Sequence, residues 1–442
     1  MDALRQILAD RAGGNIHAGI PSYCTANELV IEACIKQAER YDIPVLIEAT
    51  ANQVNQFGGY TGMQPADFRD FVYEIADRNG FDRDRIILGG DHLGPLTWQK
   101  DTEQAAMEKS VELVKLFVKA GYKKIHLDTS MRLADDDPDA VLSDETIARR
   151  GAVLYAACEE AYQELKADNP EELRPAYIIG SEVPVPGGAQ EAEDSVSVTK
   201  PEAVEKTIEA YRLQFEKAGF GDAFDNVIGI VVQPGVEFGD EDIISYNRDN
   251  ARALTDAVKK HPEIVLEGHS TDYQSPHMLK QMVEDGIAIL KVGPALTFAM
   301  REGLFALSMM EKILVDEDKR ANFMETLEQT MIDKPDNWKK HYHGTDEDLK
   351  IKRSYSLSDR CRYYMADETI RKTIDRLFEN MREVHIPLGM LAQYMPVQYA
   401  KVRDGKLSMD PRELVEDCVA HLVEDYNYAT MRDYKIGDAF LY

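Results

Sequence analysis

The sequence is short of positive charge and contains no long apolar run. It has 51 Lys and Arg against 79 Asp and Glu, which gives a formal net charge of -28. Such an excess of negative charge disfavours nonspecific binding to nucleic acid or to anionic membranes, so neither is expected as a partner. No stretch of about 18 apolar residues occurs, and the amphipathic N-terminus lacks the apolar core of a signal peptide. We therefore expect a cytoplasmic protein without a membrane span.

Cysteine is also scarce, and two nucleotide-binding motifs are missing. The five cysteines are odd in number and form no C-x-x-C pair, which disfavours a disulfide framework or a cysteine zinc site. No G-x-G-x-x-G follows the first predicted strand and no GxxxxGK[ST] occurs, which argues against a dinucleotide-dependent oxidoreductase and a P-loop kinase.

The first 300 residues alternate between short apolar runs and longer amphipathic stretches. Short runs bounded by Gly or polar residues are typical of buried parallel strands. Eight are present, near Asn15–Ala18, Pro44–Glu48, Arg85–Gly90, Lys124–Asp128, Ala176–Gly180, Val227–Val232, Ile264–Glu267 and Ala288–Lys291.

Helix signals lie between these runs. Ala105–Ala120 has helical spacing and stops at Gly121, and Thr199 and Pro201 open another segment as cap candidate and first-turn proline. Ser275-Pro276 opens a third, which Gly286 closes. Eight alternations predict an α/β fold, a TIM (β/α)8 barrel over residues 1–300, with an open doubly wound sheet as the alternative. Residues 301–442 are mostly helical and predict a C-terminal extension packed on the barrel.

The most informative segment is RIILGGDHLGP, from Arg85 to Pro95. An apolar strand stops at two glycines, and Asp91 and His92 follow. An acid beside an imidazole at the mouth of a barrel strand suits metal-assisted carbonyl chemistry. The alternative is a turn whose Asp caps the next helix.

The other strand ends carry similar residues. Among them are Glu48, His126, Asp128, Glu182 and His269. Two imidazoles with carboxylates suit Zn, Mn, Co or Ni with open coordination positions. We predict His92, Glu182 and His269 as metal ligands and Asp91, Glu182 and Asp128 as proton-transfer or supporting groups. His126 is more often a structural barrel histidine than a ligand.

Further polar residues are candidates for holding a sugar or its phosphate. They are Glu48, Asn52, Gln53, Gln233, Ser270, Thr271, Asp272, Lys291, Gly293 and Arg360. The loops after the seventh and eighth strands are the usual phosphate position in this fold. Lys291 has a Schiff-base alternative. The alternative for Arg360, in SYSLSDRCRYY, is a surface ion pair.

Eight segments together resemble the D-tagatose-1,6-bisphosphate aldolase subunit GatZ/KbaZ family. They are IEATANQVNQFGGYTGM, IILGGDHLGP, KIHLDTS, SEVPVPGG, VVQPGVEFG, EGHSTDYQ, LKVGPALTFA and YSLSDR. The resemblance implies a TIM barrel and a role in galactitol, N-acetylgalactosamine or tagatose catabolism. Members are usually described as noncatalytic partners of a separate class II aldolase subunit. Some are described as metal-dependent ketose or ketose-6-phosphate 4-epimerases.

The site residues also resemble those of remote class II aldolases. Asp91-His92 is similar to their Asp-His pair and His269 to a later ligand, whereas Glu182 stands where another histidine is expected. We therefore expect C4 epimerisation of a ketose or ketose 6-phosphate. The alternatives are a noncatalytic aldolase subunit and the tagatose-1,6-bisphosphate aldolase itself. A homo-oligomer is also expected.

Overall fold

The computed structural model describes residues 2–180 and 196–431. Eight parallel strands close a barrel in the order β1-β10-β9-β6-β5-β4-β3-β2, and β7 and β8 form a separate antiparallel hairpin. The strands are β1 (Ile20–Cys24), β2 (Val45–Thr50), β3 (Ile86–Leu93), β4 (Lys124–Leu127), β5 (Ala176–Ile179), β6 (Val227–Val232), β7 (Glu237–Phe238), β8 (Ile243–Ile244), β9 (Val265–Gly268) and β10 (Ile287–Val292). The predicted (β/α)8 fold is confirmed.

Fifteen α-helices occur in the described residues. They are α1 (Ala3–Ala12), α2 (Glu28–Tyr41), α3 (Pro65–Arg78), α4 (Glu103–Lys119), α5 (Asp144–Asp168), α6 (Pro201–Lys217), α7 (Arg248–Val258), α8 (Pro276–Glu284), α9 (Pro294–Leu314), α10 (Phe323–Asp333), α11 (Asp346–Tyr355), α12 (Glu368–Glu383), α13 (Leu388–Tyr394), α14 (Pro396–Arg403) and α15 (Pro411–Thr430). None of these described helices is long and apolar enough to cross a membrane.

The barrel strands are buried on both faces, as expected where helices cover a parallel sheet. Their outward side chains pack on the helices in the main core, and a second cluster, including Ile20, Leu46, Ile178 and Ile289, fills the barrel near α1. The opposite end of the barrel, at the carboxyl ends of the strands, contains polar side chains.

Two local predictions were wrong. The first strand begins at Ile20, after the Asn15–Ala18 segment, and Ser22 pairs with Leu46 of β2 and Lys291 of β10. Pro21 and Ser22 hid this strand because proline is rare inside sheets. Thr199 does not cap α6: Lys200 occupies that position, and the Thr199 hydroxyl accepts a hydrogen bond from the Gln233 N–H at 2.9 Å. Ser275 caps α8 as predicted, accepting from the Met278 N–H.

The C-terminal helices are continuous with the barrel. Helix α9 starts directly after β10 and runs without interruption past residue 300. Helix α15 packs against α2, α8 and α9. A buried ion pair, Arg301 Nε to Asp359 Oδ1 at 3.0 Å, anchors the 3₁₀ turn Arg360–Tyr364 to α9. This attachment places part of the extension over the barrel mouth.

Candidate functional site

The barrel mouth opens into a cavity of about 810 Å³. Its wall combines strand-end residues, among them Asp91, His92, His269 and Lys291, with Arg362 and Tyr363 of the extension. Because β3, β9 and β10 are parallel, their carboxyl ends deliver these side chains to one place. The cavity is therefore shared between the barrel and the C-terminal helices.

Three imidazoles cluster at the barrel mouth, and two of them, those of His92 and His269, line the cavity. His92 is the penultimate residue of β3, His126 lies on β4, and His269 follows β9. Their ring centroids are 5.2 Å apart for His92 and His126, 5.0 Å for His92 and His269, and 5.4 Å for His126 and His269. Each ring thus touches both of the others.

Asp128 orients His92. The Asp128 Oδ2 atom lies 2.7 Å from His92 Nδ1, and His92 has a left-handed backbone with φ of 48°. Burial alone would lower the pKa of His92, but the charges of Asp91 and Asp128 outweigh burial and raise it. A carboxylate on one ring nitrogen is the arrangement that usually fixes a metal-binding histidine.

Asp91 is held between an imidazole and an ammonium group. Its Oδ1 atom is 2.8 Å from His126 Nδ1, and its Oδ2 atom is 2.8 Å from Lys291 Nζ. Burial opposes the charged form, yet His92 and Lys291 hold the pKa of Asp91 well below its usual range. Asp91 is therefore an ionised carboxylate on the cavity wall.

A buried ionic network continues from Asp91 across the barrel. Lys291 also pairs with Glu48, and Lys124 Nζ lies 2.7 Å from both Glu48 Oε1 and Glu267 Oε2. Lys124, Glu48 and Glu267 are fully buried. Burial disfavours the charged forms of Lys124 and Glu267. Their mutual attraction outweighs burial, so the pKa of Lys124 is raised and that of Glu267 is lowered.

The network ends at His269. Its Nε2 atom is 2.9 Å from Glu267 Oε1. Burial lowers the pKa of His269 to about 4, although Glu267 and Asp91 favour the charged form. His269 is consequently neutral at physiological pH, which is the form that binds metal ions.

The cluster fits a divalent metal. One ligand atom from each of Asp91, His126, Glu267 and His269 lies within 4.8 Å of the others. The Nε2 atom of His126 is buried and has no hydrogen-bond partner among residues 2–180 and 196–431. Among the described residues, the four buried carboxylates of Glu48, Asp91, Asp128 and Glu267 outnumber the two ammonium groups that pair with members of this set, those of Lys124 and Lys291. This donor set suits Zn, Mn, Co or Ni.

Several predicted residues share this site. Asn52, Gln53, Ser270, Asp272, Lys291 and Gly293 line the cavity with Asp91, His92 and His269. Glu48 lies within the ionic network and Asp128 behind His92. Glu182, predicted both as ligand and as proton carrier, lies outside the described residues.

Other predicted residues bond within the protein. Thr271 donates its hydroxyl to the Lys291 carbonyl at 2.6 Å, and Gln233 Oε1 accepts from the Gly235 N–H at 2.8 Å. The Arg360 guanidinium donates to the Asn337 carbonyl, whereas Arg362, two residues later, lines the cavity.

Lys124 and Glu267 received no role from the sequence, and His126 was interpreted as structural. Lys124 lies two residues before His126, and Glu267 lies two residues before His269. Residues two apart in a strand point to the same side, so strand periodicity carried the signal.

Comparisons with known proteins agree with this architecture. A family model described as "D-tagatose-1,6-bisphosphate aldolase subunit GatZ/KbaZ-like" matches residues 4–431. The chain is 46% identical over 430 residues to "D-tagatose-1,6-bisphosphate aldolase subunit GatZ" of Salmonella paratyphi B, covering 97% of this chain and 100% of that one. It is 47% identical over 425 residues to the protein of that name from Escherichia coli O6:H1, covering 96% and 99%.

A solved structure shares the fold. It is a "probable tagatose 6 phosphate kinase" from Sinorhizobium meliloti 1021, with a TM-score of 0.84 and 42% identity, covering 93% of this chain and 100% of that one. With the barrel, the mouth residues and the matched length in agreement, this chain belongs to the D-tagatose-1,6-bisphosphate aldolase subunit GatZ/KbaZ-like family.

Proposed function

We propose that the protein is a metal-dependent sugar enzyme that inverts C4 of a ketose or ketose 6-phosphate, interconverting fructose and tagatose forms. The observation that carries this proposal is the cluster of three imidazoles beside an ionised Asp91, of which His92, His269 and Asp91 line the cavity. The family membership supports a substrate of the tagatose group.

A divalent metal would be held by His269, His126 and the Glu267 carboxylate, with His92 adjacent and with Asp91 beside it as the base. When bound, it would supply Lewis acidity toward ketose oxygens. The protein's own residues prepare the donors: Asp128 fixes the His92 ring, and Glu267 fixes the His269 ring. Both imidazoles are therefore oriented before a ligand arrives.

The chemistry of the ketose favours a retro-aldol route. A C4–H bond is not adjacent to the C2 carbonyl, whereas cleavage of C3–C4 leaves its electron pair in the enediolate of the three-carbon fragment. Asp91 would accept the O4 proton as this bond breaks, and Lys291 would hold the carboxylate in place. Rotation of the aldehyde and attack by C3 on its other face would invert C4 and return the proton to O4. Glu182 remains a predicted second proton carrier.

A conversion assay tests the proposal. Metal-loaded protein is incubated with fructose, fructose 6-phosphate and tagatose 1,6-bisphosphate, and the products are separated chromatographically. Asp91→Asn is expected to lower kcat about 10²-fold or more. His269→Ala should lower metal content, while His277→Ala, on the exposed face of α8, should match the wild type. If the metal-loaded wild type converts none of the three sugars, the enzyme proposal is refuted.

The second candidate is a noncatalytic subunit of tagatose-1,6-bisphosphate aldolase. The names of the relatives favour it, since they are called aldolase subunits and match over nearly their whole length. Coexpression with a class II aldolase subunit followed by size-exclusion chromatography would reveal a stable complex. Size-exclusion chromatography of the protein alone tests whether it forms the predicted homo-oligomer. Triose phosphate release from tagatose 1,6-bisphosphate by the lone protein would indicate the aldolase alternative.

A further inference from the structure

One part of the cavity wall lies where β9 and β10 end and α9 begins. In barrels of this type, loops after the seventh and eighth strands and a helix N-terminus commonly bind phosphate. Here Asp272 already occupies that position. Its Oδ1 atom accepts hydrogen bonds from the Gly293 N–H at 3.1 Å and the Ala295 N–H at 2.8 Å. The side chain lines the cavity and the residue is only 2% exposed.

We propose that Asp272 determines substrate specificity, so that the ketose end reaching α9 carries a free hydroxyl and no phosphate. This inference rests on the proposed function for the class of ligand. The inference adds a prediction of which ketoses and ketose phosphates the cavity accepts.

The electrostatics of this wall oppose a phosphate. Burial raises the pKa of Asp272 to about 6, so most molecules carry the carboxylate at neutral pH. A phosphate beside it would place two like charges in contact away from bulk water. A carboxylate instead accepts hydrogen bonds from sugar hydroxyls at no such cost.

The neighbouring cations are already engaged. Arg362 Nη1 donates to the carbonyls of Ser358 and Asp359, and Nη2 donates to the Tyr363 hydroxyl at 2.9 Å. Lys291 pairs with Asp91 and Glu48. The charge of Arg362 already favours the Asp272 carboxylate, so a phosphate at this position would have to share that cation with Asp272.

The consequence does not depend on how the sugar lies. A ketose 1,6-bisphosphate has a phosphate at each end, so either orientation would bring one to Asp272. A free ketose or a ketose monophosphate has at least one uncharged end. The site should therefore accept these and reject the bisphosphate.

Calorimetric titration of the metal-loaded full chain with fructose, fructose 1-phosphate, fructose 6-phosphate and fructose 1,6-bisphosphate tests this inference. In the wild type, the bisphosphate should bind about tenfold or more weaker than the best of the other three. Asp272→Asn keeps an oxygen for the amides but removes the charge, and should reduce this difference most. Asp272→Ser provides a second test if the first variant unfolds.

Asp256→Asn is the control, because Asp256 lies on the exposed face of α7, away from the residues that line the cavity. It should leave the discrimination unchanged. The inference is overturned if the wild type binds the bisphosphate as tightly as a monophosphate, if Asp256→Asn acts as strongly as Asp272→Asn, or if folded wild type binds none of the four sugars. Because binding needs no turnover, discrimination without C4 conversion would overturn only the proposed reaction.

Discussion

Lys124 offers the sharpest test of the buried ionic network. It is fully buried on β4, and its Nζ atom lies 2.7 Å from a carboxylate oxygen of Glu48 and of Glu267. The substitution Lys124→Met keeps most of the side-chain volume and removes the charge. Two buried carboxylates would then lose their shared partner, and among the described residues Lys291 would remain to balance Glu48.

The expected magnitude follows from the geometry. At 2.7 Å, each contact contributes about 6 kcal/mol of attraction with an effective dielectric of about 20. Desolvation of the three groups offsets much of that attraction. Removing one partner from a buried ionic cluster usually costs about 3–5 kcal/mol, because the unpaired charge stays buried. We expect a loss of that size in the free energy of unfolding.

Urea unfolding followed by circular dichroism measures this loss. The double variant Lys124→Met/Glu267→Gln should recover part of the stability, because one unpaired charge has been removed. Lys372→Met serves as the surface control, since Lys372 pairs with Glu368 on an exposed helix face, and should cost under about 1 kcal/mol. A loss below about 1 kcal/mol for Lys124→Met, or no recovery in the double variant, would refute the reasoning.

Three further predictions concern groups around the same site. The pKa of His269 falls from 6.5 to about 4 on folding, so the free energy of unfolding should decrease as the pH falls from 6.5 toward 4, by about 3 kcal/mol in all. The variant His269→Gln should weaken this pH dependence when unfolding is measured across that range. Gly94→Ala would place a Cβ atom 1.8 Å from the Asp128 carbonyl oxygen, so a loss of about 1–3 kcal/mol or more and weaker metal binding are expected by thermal unfolding and metal titration. Arg301→Met would leave Asp359 buried without its cation, and we expect faster amide hydrogen exchange in the Arg360–Tyr364 turn, whereas an unchanged exchange rate would contradict the anchoring role.

The sequence predicted the barrel because each of its strands but the first is an apolar run bounded by turns. It also predicted where Asp91, His92 and His269 meet, because parallel strand ends share one edge. Lys124 was overlooked because it lies in a strand interpreted as apolar, and its partners Glu48 and Glu267 are distant in sequence. Only the closed barrel brings them together.

The choice between Arg360 and Arg362 had a different cause. Both lie in a 3₁₀ turn, where neither helical nor strand periodicity states which side chain faces a cavity. That orientation depends on the Arg301–Asp359 pair, which holds the turn on α9. A contact of this kind joins two distant segments and leaves no pattern in the local sequence.

The ionic network bears on whether this protein performs chemistry. Apolar residues of similar volume often replace a buried ionic cluster without loss of stability, so folding alone gives little reason to keep Lys124, Glu48 and Glu267. Their positions supply a reason. One end of the network fixes Asp91, the proposed base, and the other fixes His269, a proposed metal ligand. A subunit that only supports a partner would need neither group in a defined charge state at a cavity floor, and this favours the enzyme proposal over the noncatalytic one.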